Sequence, residues 1–267
     1  MNAALLDALG PLTLGCLGAQ GLAWLWCQWR QDATLVDAVW AGSLATAAAG
    51  GALLLPGDPL TRLAVGSLAG LWYGRLAVHL LRRSFGEALE DRRYRALREA
   101  LQRRMGRGSA LGWLAFFVLQ AGLAVLFSVP LLWLCVTPTG AYGPMQPLVV
   151  GLVALGGLGA FWGQTTADRQ LAAHRADLAR RGQVLDTGLW RLSRHPNYFF
   201  EWLHWLAYPL LGLAAGLWGL WLWPLLMYVF LRHLTGVPFA EQQALRRRGA
   251  AYAAYQARTP VFFPRWP

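Results

Sequence analysis

Residues 108–167 read GSALGWLAFFVLQAGLAVLFSVPLLWLCVTPTGAYGPMQPLVVGLVALGGLGAFWGQTTA and contain no charged side chain. This block is long enough for two membrane-spanning helices of about 20 residues each. Its apolar residues are continuous and do not follow the period of an amphipathic helix, so an apolar surrounding is required on every helix face. The block therefore indicates an integral membrane protein built from α-helices.

Apolar blocks on either side extend the same pattern over the chain of 267 residues. Residues 8–29, 38–57 and 63–81 form three such blocks, and residues 202–231 suit a helical hairpin bent at Gly216–Gly219. Together they predict an all-α bundle of seven transmembrane helices in a single membrane domain, 1–267. The predicted spans are 8–29, 34–55, 61–81, 109–135, 145–167, 199–215 and 217–233.

The arginines predict how the bundle lies in the membrane. Most of them fall in residues 82–107, 169–194 and 232–267, whereas residues 137–147 contain none. Basic loops stay on the cytoplasmic side. We therefore expect an outside N-terminus, a cytoplasmic C-terminal segment 235–267, and a cytoplasmic cap of loops and short helices.

A net charge of +11 is explained by these short loops and by anionic lipid headgroups, so membrane lipids are expected partners and nucleic acid is not. The three cysteines lie in or near apolar spans, as packing residues do. His79 and His233 have no companions at metal-ligand spacing, and His174 is predicted to be a solvated loop residue. No metal site is predicted.

The densest polar segment is GLWRLSRHPNYFFE at residues 188–201. If a helix begins at its proline, which suits a first turn, one helix face carries polar residues at spacings of three and four. These residues are Asn197, Glu201, His204 and Tyr208. At that depth a carboxylate is costly unless it faces protein partners, so Glu201 is a functional candidate. Alternatively, Asn197 and Glu201 only cap the helix and pair with Arg194.

A second polar group lies in the early spans. Asp37 falls on the second span, and Tyr73 and Arg75 fall on the third. Such residues are disfavoured against lipid, so we expect them to face one internal cavity that holds the substrate. Alternatively, Asp37 and Arg75 form a buried ion pair between helices.

The run SRHPNYFFE at residues 193–201 resembles the signature of the steroid 5α-reductase-like membrane proteins, in the bacterial branch known as DUF1295. Other short motifs resemble the same family in order and spacing, so the resemblance covers nearly the whole chain. These motifs are LVDAVW at 35–40, LWYGR at 71–75, EDRRY at 90–94, DRQL at 168–171, and GVP at 236–238 with Glu241, Gly249, Tyr252, Tyr255 and Thr259.

The resemblance implies an NADPH-dependent oxidoreductase that reduces a conjugated C=C bond of a 3-oxo-Δ4-steroid-like or other enone or enoyl lipid. In that family an Asp, an Arg seven residues later, and the Asn and Glu of the signature line the NADPH site. The matching residues here are Asp168, Arg175, Asn197 and Glu201. Further residues assigned to the cofactor are Arg194, His195, Tyr198, Arg82, Arg83, Arg92, Arg93, Tyr94, Arg232 and Tyr252. Arg175 and Arg194 are the leading phosphate ligands, because guanidinium forks suit anionic phosphates.

Hydride addition to an enone needs a hydrogen-bond donor that polarises the carbonyl, and a tyrosine assisted by a carboxyl group can be that donor. Tyr73 and Asp37 are the predicted pair, and Glu201 is the third predicted catalytic residue. The Gln-Glu pair on the second span of the animal steroid reductases has no clear match here, which leaves steroid specificity open.

Two other classes of protein compete with this interpretation. Membrane methyltransferases of the isoprenylcysteine carboxyl methyltransferase type share an Arg-His-Pro-x-Tyr turn but bind S-adenosylmethionine, and they usually lack a carboxylate at the position of Glu201. A non-enzymatic transporter or assembly factor is the third possibility, although the chain has no inverted repeats. The oligomeric state is left open by the sequence.

Overall fold

The computed structural model describes residues 3–86, 90–180 and 182–265. Within them the elements are helices and turns, without a β-strand. The helices are α1 Ala3–Arg30, α2 Leu35–Leu54, α3 Pro59–Gly86, α4 Arg92–Met105, α5 Ser109–Val136, α6 Gln146–Ala176, α7 Leu189–Leu192, α8 Pro196–Trp205, α9 Ala207–Gly212, α10 Leu222–Val229 and α11 Val237–Arg258. A π-helical turn, Phe230–Leu234, joins α10 to α11.

Four helical stretches of the described residues are long and apolar enough to cross a membrane, namely Ala3–Arg30, Ser109–Val136, Gln146–Ala176 and Trp218–Arg258. The predicted all-α class and the membrane character are confirmed at this level. The predicted second and third spans are also helical, as α2 and α3, but do not belong to these four. The last stretch includes α11, which lies in the C-terminal segment 235–267; residues 266–267 of that segment are outside the described part.

Two helices end elsewhere than the apolar pattern predicts. The sixth span, predicted as 199–215, is divided into α8 and α9, and Pro209 removes one backbone donor from this region. The bend predicted at Gly216–Gly219 falls in the turn that contains Gly216, whose φ is +70°. By contrast, α6 continues past the predicted end at residue 167 to Ala176, because the polar residues that follow are mostly good helix formers.

The chain forms two compact units, Met1–Pro147 and Leu148–Pro267. In the first unit α5 packs against α1, α2, α3 and α4, and α2 packs along α3. One part of its core includes Cys27, Val36, Tyr94, Trp113 and Phe117. The thiols of all three cysteines are free and buried in this unit, as expected for packing residues.

Gly66, Gly70 and Gly74 recur every four residues on α3, a spacing that favours close helix packing, but among the described residues only Gly66 makes such a contact. A Cβ at Gly66 would lie 2.6 Å from the Cβ of Ala52, so α2 and α3 approach closely there. Gly70 and Gly74 meet no side chain within 4 Å among the described residues. The regular spacing of the three glycines therefore suggests more close contacts between helices than the structure shows.

The buried carboxylate of Asp58 stabilises the loop between α2 and α3 through hydrogen bonds. Asp58 Oδ1 accepts hydrogen bonds from the backbone N–H of Thr61 at 2.8 Å and from Gln146 Nε2 at 2.5 Å. The N–H of Gly57 donates to the carbonyl of Cys135 at 2.9 Å. These bonds hold the α2–α3 loop against the C-terminal end of α5, so this end of the first unit is rigidly connected.

Candidate functional site

In the second unit α6 and α8 approach closely at Gly163. A Cβ at this position would lie 2.3 Å from the ring of Phe200, so only glycine lets that ring pack against α6. Gly159 lies one turn earlier on α6, and a Cβ placed there would meet no atom within 4 Å in the described residues. The close approach brings together Gln164 and Glu201, the residues that directly follow Gly163 and Phe200.

Two hydrogen-bonded pairs connect α6 and α8. Gln164 Nε2 donates to Glu201 Oε2 at 2.9 Å, and Asn197 Nδ2 donates to Asp168 Oδ1 at 3.3 Å. Only 8% of Glu201 is exposed. The members of each helix are four residues apart, one helical turn. The predicted polar face of α8 thus lies against a polar face of α6.

The polar stripe continues from α8 into α9 with a further buried pair. The hydroxyl of Tyr208 lies 2.6 Å from Nε2 of His204, and both side chains are buried. All four residues of the predicted stripe therefore have protein partners. The contacts contradict the alternative in which Glu201 pairs with Arg194, because the carboxylate that Arg194 binds is that of Glu241.

Arg175 lies exposed in the last turn of α6, two turns beyond Asp168. Its neighbour His174 is buried, with Nε2 3.1 Å from the carbonyl oxygen of Gln183. The prediction that His174 is a solvated loop residue is therefore wrong. It failed because α6 extends beyond the apolar block that predicted its end.

The C-terminal part of the chain holds the loop before α8. The hydroxyl of Tyr255 donates to the carbonyl of Trp190 at 2.5 Å, and Ser193 Oγ donates to the carbonyl of Phe262 at 2.8 Å. Gly188, the residue before α7, has a φ of +59°, in the range that favours glycine. Residues that follow α10 therefore hold the backbone of the segment 190–193, which precedes α8, in place.

The side chain of Arg194 makes three hydrogen bonds inside the second unit. Its Nε donates to Glu241 Oε1 at 2.6 Å, and its Nη1 donates to the carbonyl oxygens of Gln256 and Thr259 at 2.9 and 2.8 Å. The burial of Glu241 by itself raises the pKa of its carboxyl, but the bonds from His195 and Arg194 outweigh this and lower the pKa to about 2. The carboxylate is therefore charged at neutral pH.

His195 completes this network. Burial lowers its pKa below the ordinary value, although Glu241 acts in the opposite direction. The ring is therefore neutral at neutral pH, and its Nε2 lies 3.3 Å from Glu241 Oε1. The ring also stacks on Tyr198, with centroids 5.4 Å apart and planes 6° apart. Arg194 and His195 position the loop before α8, and their predicted contact with a cofactor stays a prediction.

We expect Arg194→Lys to lower the free energy of unfolding by about 2 kcal/mol, because an ammonium group cannot reproduce the bonds of a planar guanidinium to three acceptors. The midpoint of thermal unfolding in detergent measures the effect. Arg191→Lys is the matched control, since Arg191 lies exposed in the same segment. Equal midpoints for the two variants would contradict the positioning role of Arg194.

Two other predicted cofactor residues lie in the second unit. Arg232 is half-buried in the π-helical turn. Tyr252 is buried and packs with Tyr255, Ala244 and Val184 in a small apolar cluster. Their assignment to a cofactor stays a prediction.

In the first unit the charged cluster centres on Asp37. Asp37 Oδ1 accepts a hydrogen bond from the hydroxyl of Tyr94 at 2.6 Å, and Oδ2 accepts one from Arg93 Nη2 at 2.8 Å. Asp91 caps the start of α4 and also binds Arg93 and Arg83. Burial and the neighbouring Asp37 carboxylate raise the pKa of Tyr94 well above its ordinary value, so the phenol keeps its proton at neutral pH.

The remaining predicted residues of the first unit are separate from these bonds to Asp37. Tyr73 is fully buried and packs edge-to-face against Trp40 at 5.9 Å. Arg82 and Arg92 are exposed. The cation hydrogen-bonded to Asp37 is Arg93 on α4, whereas the sequence alternative proposed Arg75.

Three residues of these clusters were not predicted as site residues. Gln164 could have been found, because it lies one helical turn before Asp168 on the same face. Asp91 precedes a helix start, where a side-chain cap is expected. Glu241 was noted only as part of the family resemblance, and nothing local indicates its partner. Within the described residues no group of three or more His, Cys, Asp or Glu could hold a metal ion.

The fold and these buried polar pairs define the class: an all-α protein with membrane-spanning helices and polar side chains set between them. The chain belongs to the family described as protein of unknown function (DUF1295), whose model matches residues 23–259. This confirms the resemblance to that branch noted from the motifs. Comparisons with curated proteins and with solved structures gave no match.

Proposed function

We propose that this protein is a membrane-embedded reductase that uses NADPH to add hydride to a conjugated C=C bond of an enone or enoyl lipid. The observation that supports it best is the buried carboxylate of Glu201, held by Gln164 beside the Asn197–Asp168 pair. A carboxylate between apolar helices is unfavourable for folding, and such groups mark functional sites. The reductase-like signature around it directs the proposal to a dinucleotide.

The residues of the second unit are chemically suited to such a cofactor. Arg175 offers an exposed guanidinium for phosphate oxygens. Glu201 accepts a hydrogen bond from Gln164, and carboxylate oxygens are suitable acceptors for the N–H groups of a carboxamide. Asn197 adds an amide one turn away. When bound, the reduced dinucleotide supplies the hydride.

In the first unit we propose that Asp37 and a tyrosine hold the substrate carbonyl. Tyr73 was predicted from the sequence, but we favour Tyr94 because its hydroxyl contacts Asp37 directly. Rotation of the Tyr94 O–H bond moves its hydrogen bond from Asp37 to a carbonyl oxygen, while Arg93 still neutralises the carboxylate. A donor aimed at the developing negative charge stabilises the transition state.

The membrane arrangement is part of this proposal. We propose seven spans, an outside N-terminus, a cytoplasmic segment from residue 235 onward with a cap of loops, and a bacterial inner-membrane location. The four membrane-length helices, α2 and α3 support six of these spans, and the remaining proposed span consists of α8 and α9. The substrate is a lipid that enters from the bilayer.

Binding of NADPH to purified protein tests the proposal. Reduced nicotinamide absorbs where tryptophan emits, so titration with NADPH should quench the fluorescence of the 15 tryptophans in a saturable manner. Titration with S-adenosylmethionine should leave the fluorescence unchanged. Free tryptophan at the same absorbance corrects for light absorbed by the cofactor. Saturable binding of S-adenosylmethionine in place of NADPH would assign the protein to the methyltransferases.

A further inference from the structure

A pocket of about 520 Å³ lies beside the loop that precedes α8. Its lining includes Arg191, Arg258, Arg265, Thr259 and Asp186, all in the second unit. It shares no lining residue with the polar contacts between α6 and α8. Neither the proposed reductase chemistry nor the family resemblance uses these arginines.

The charges of the pocket favour an anion. It has three guanidinium groups and one carboxylate, and that carboxylate, Asp186, forms an ion pair with Arg258. Arg191 and Arg265 are exposed around the same space. Guanidinium groups bind phosphate oxygens through paired N–H donors. A phosphate in the pocket would bind Arg191 and Arg265 and compete with Asp186 for Arg258.

The backbone that carries these side chains is held in place before any ligand binds. The N–H of Arg265 donates to the carbonyl of Leu192 at 3.0 Å, and the N–H of Arg194 donates to the carbonyl of Pro260 at 2.9 Å. Arg194 Nη1 also binds the carbonyl of Thr259. A pocket with a fixed frame loses less entropy when a ligand binds.

Aromatic residues next to the pocket indicate where it lies in the bilayer. Phe262 packs on Tyr228 of α10 at 5.2 Å, and Phe263 packs on Trp202 of α8 at 5.3 Å. About half of Phe263 remains exposed, at 49%. Tyr and Trp side chains at the ends of membrane helices lie at headgroup level, and Tyr228 is in the last turn of α10. Arg265, two residues beyond Phe263, is then at the depth of lipid phosphates.

We propose that this pocket binds the phosphate of an anionic phospholipid headgroup. Charge selects an anionic lipid over a zwitterionic one, because the quaternary ammonium group of phosphatidylcholine adds a positive charge that the arginines repel. The site is independent of the proposed reductase activity, so a negative result for one proposal does not contradict the other. Soluble phosphate has the same chemistry, and the test below distinguishes the two sources.

The experiment is native mass spectrometry of the protein released from nanodiscs that contain equal amounts of phosphatidylglycerol and phosphatidylcholine with identical acyl chains. The wild-type protein should retain phosphatidylglycerol about tenfold more often than phosphatidylcholine. Arg191→Gln/Arg265→Gln should remove this preference, and Arg191→Gln alone should reduce it. Arg103→Gln/Arg104→Gln is the matched control, because it removes two exposed charges from the end of α4.

Three results would overturn the proposal. The first is equal retention of the two lipids by the wild-type protein. The second is an equal loss of preference in the α4 control, since general surface charge would then explain the binding. The third concerns the source of the phosphate: inorganic phosphate that binds the wild type but not the double variant, and that phosphatidylglycerol does not displace, would make the pocket a site for a soluble anion.

Discussion

Glu201→Gln is expected to weaken NADPH binding about 30-fold and to remove most reductase turnover. The substitution keeps the size of the side chain but replaces a charged acceptor that is 8% exposed. A hydrogen bond to a buried charged group contributes about 2 kcal/mol, which corresponds to a factor of about 30 in the dissociation constant. The bond from Gln164 is weakened in the same way, because its acceptor is no longer charged.

Fluorescence titration gives the dissociation constant of NADPH, and NADPH oxidation with a model enone gives turnover. Glu99→Gln is the control, since that carboxylate is 60% exposed on α4. The midpoint of thermal unfolding of both variants shows whether a loss of NADPH binding is due to the site itself or to loss of the fold. If Glu201→Gln binds NADPH and turns over like the wild type, the proposed cofactor site is wrong.

Tyr94→Phe is expected to reduce kcat by a factor of about 100 to 1000, the effect of removing one donor that stabilises an oxyanion. The aromatic ring of the variant still packs against Phe116, and Asp37 keeps its ion pair with Arg93. NADPH binding should be unchanged, because the removed hydroxyl acts on the substrate carbonyl. Single-turnover rates at saturating NADPH measure the effect on the chemical step.

Tyr73→Phe is the matched variant, because Tyr73 is also a buried tyrosine of the first unit and is the donor predicted from the sequence. We expect it to retain most of the single-turnover rate. A large loss with Tyr73→Phe and none with Tyr94→Phe would return the donor role to the tyrosine predicted from the sequence. Retention of the full rate by both variants would remove the tyrosine donor from the mechanism.

The sequence predicted the long helices well, because an uncharged apolar block directly reflects burial in lipid. α1 and α5 begin and end within a few residues of the predicted spans. It failed at the ends that hydropathy does not determine. α6 continues through polar helix-forming residues, and the region around Pro209 is divided into two short helices.

For the candidate site, the sequence predicted which residues share a face but not which residues they contact. A spacing of four residues placed Asn197 and Glu201 together on α8. Their partners, Asp168 and Gln164, depend on how α6 packs, and that packing is set by a single small residue, Gly163. Asp37 illustrates the same limit, because its partners lie on α4 and no periodicity connects them to α2.

The burial of Cys16, Cys27 and Cys135 makes the unmodified chain a suitable background for thiol labelling. A maleimide that cannot cross the bilayer meets no exposed native thiol, since these three are the only cysteines of the chain. A cysteine introduced on an exposed loop would then be the single reporter of the side on which that loop lies. Each connection between helices can be assigned in this way without first replacing a native residue of the core.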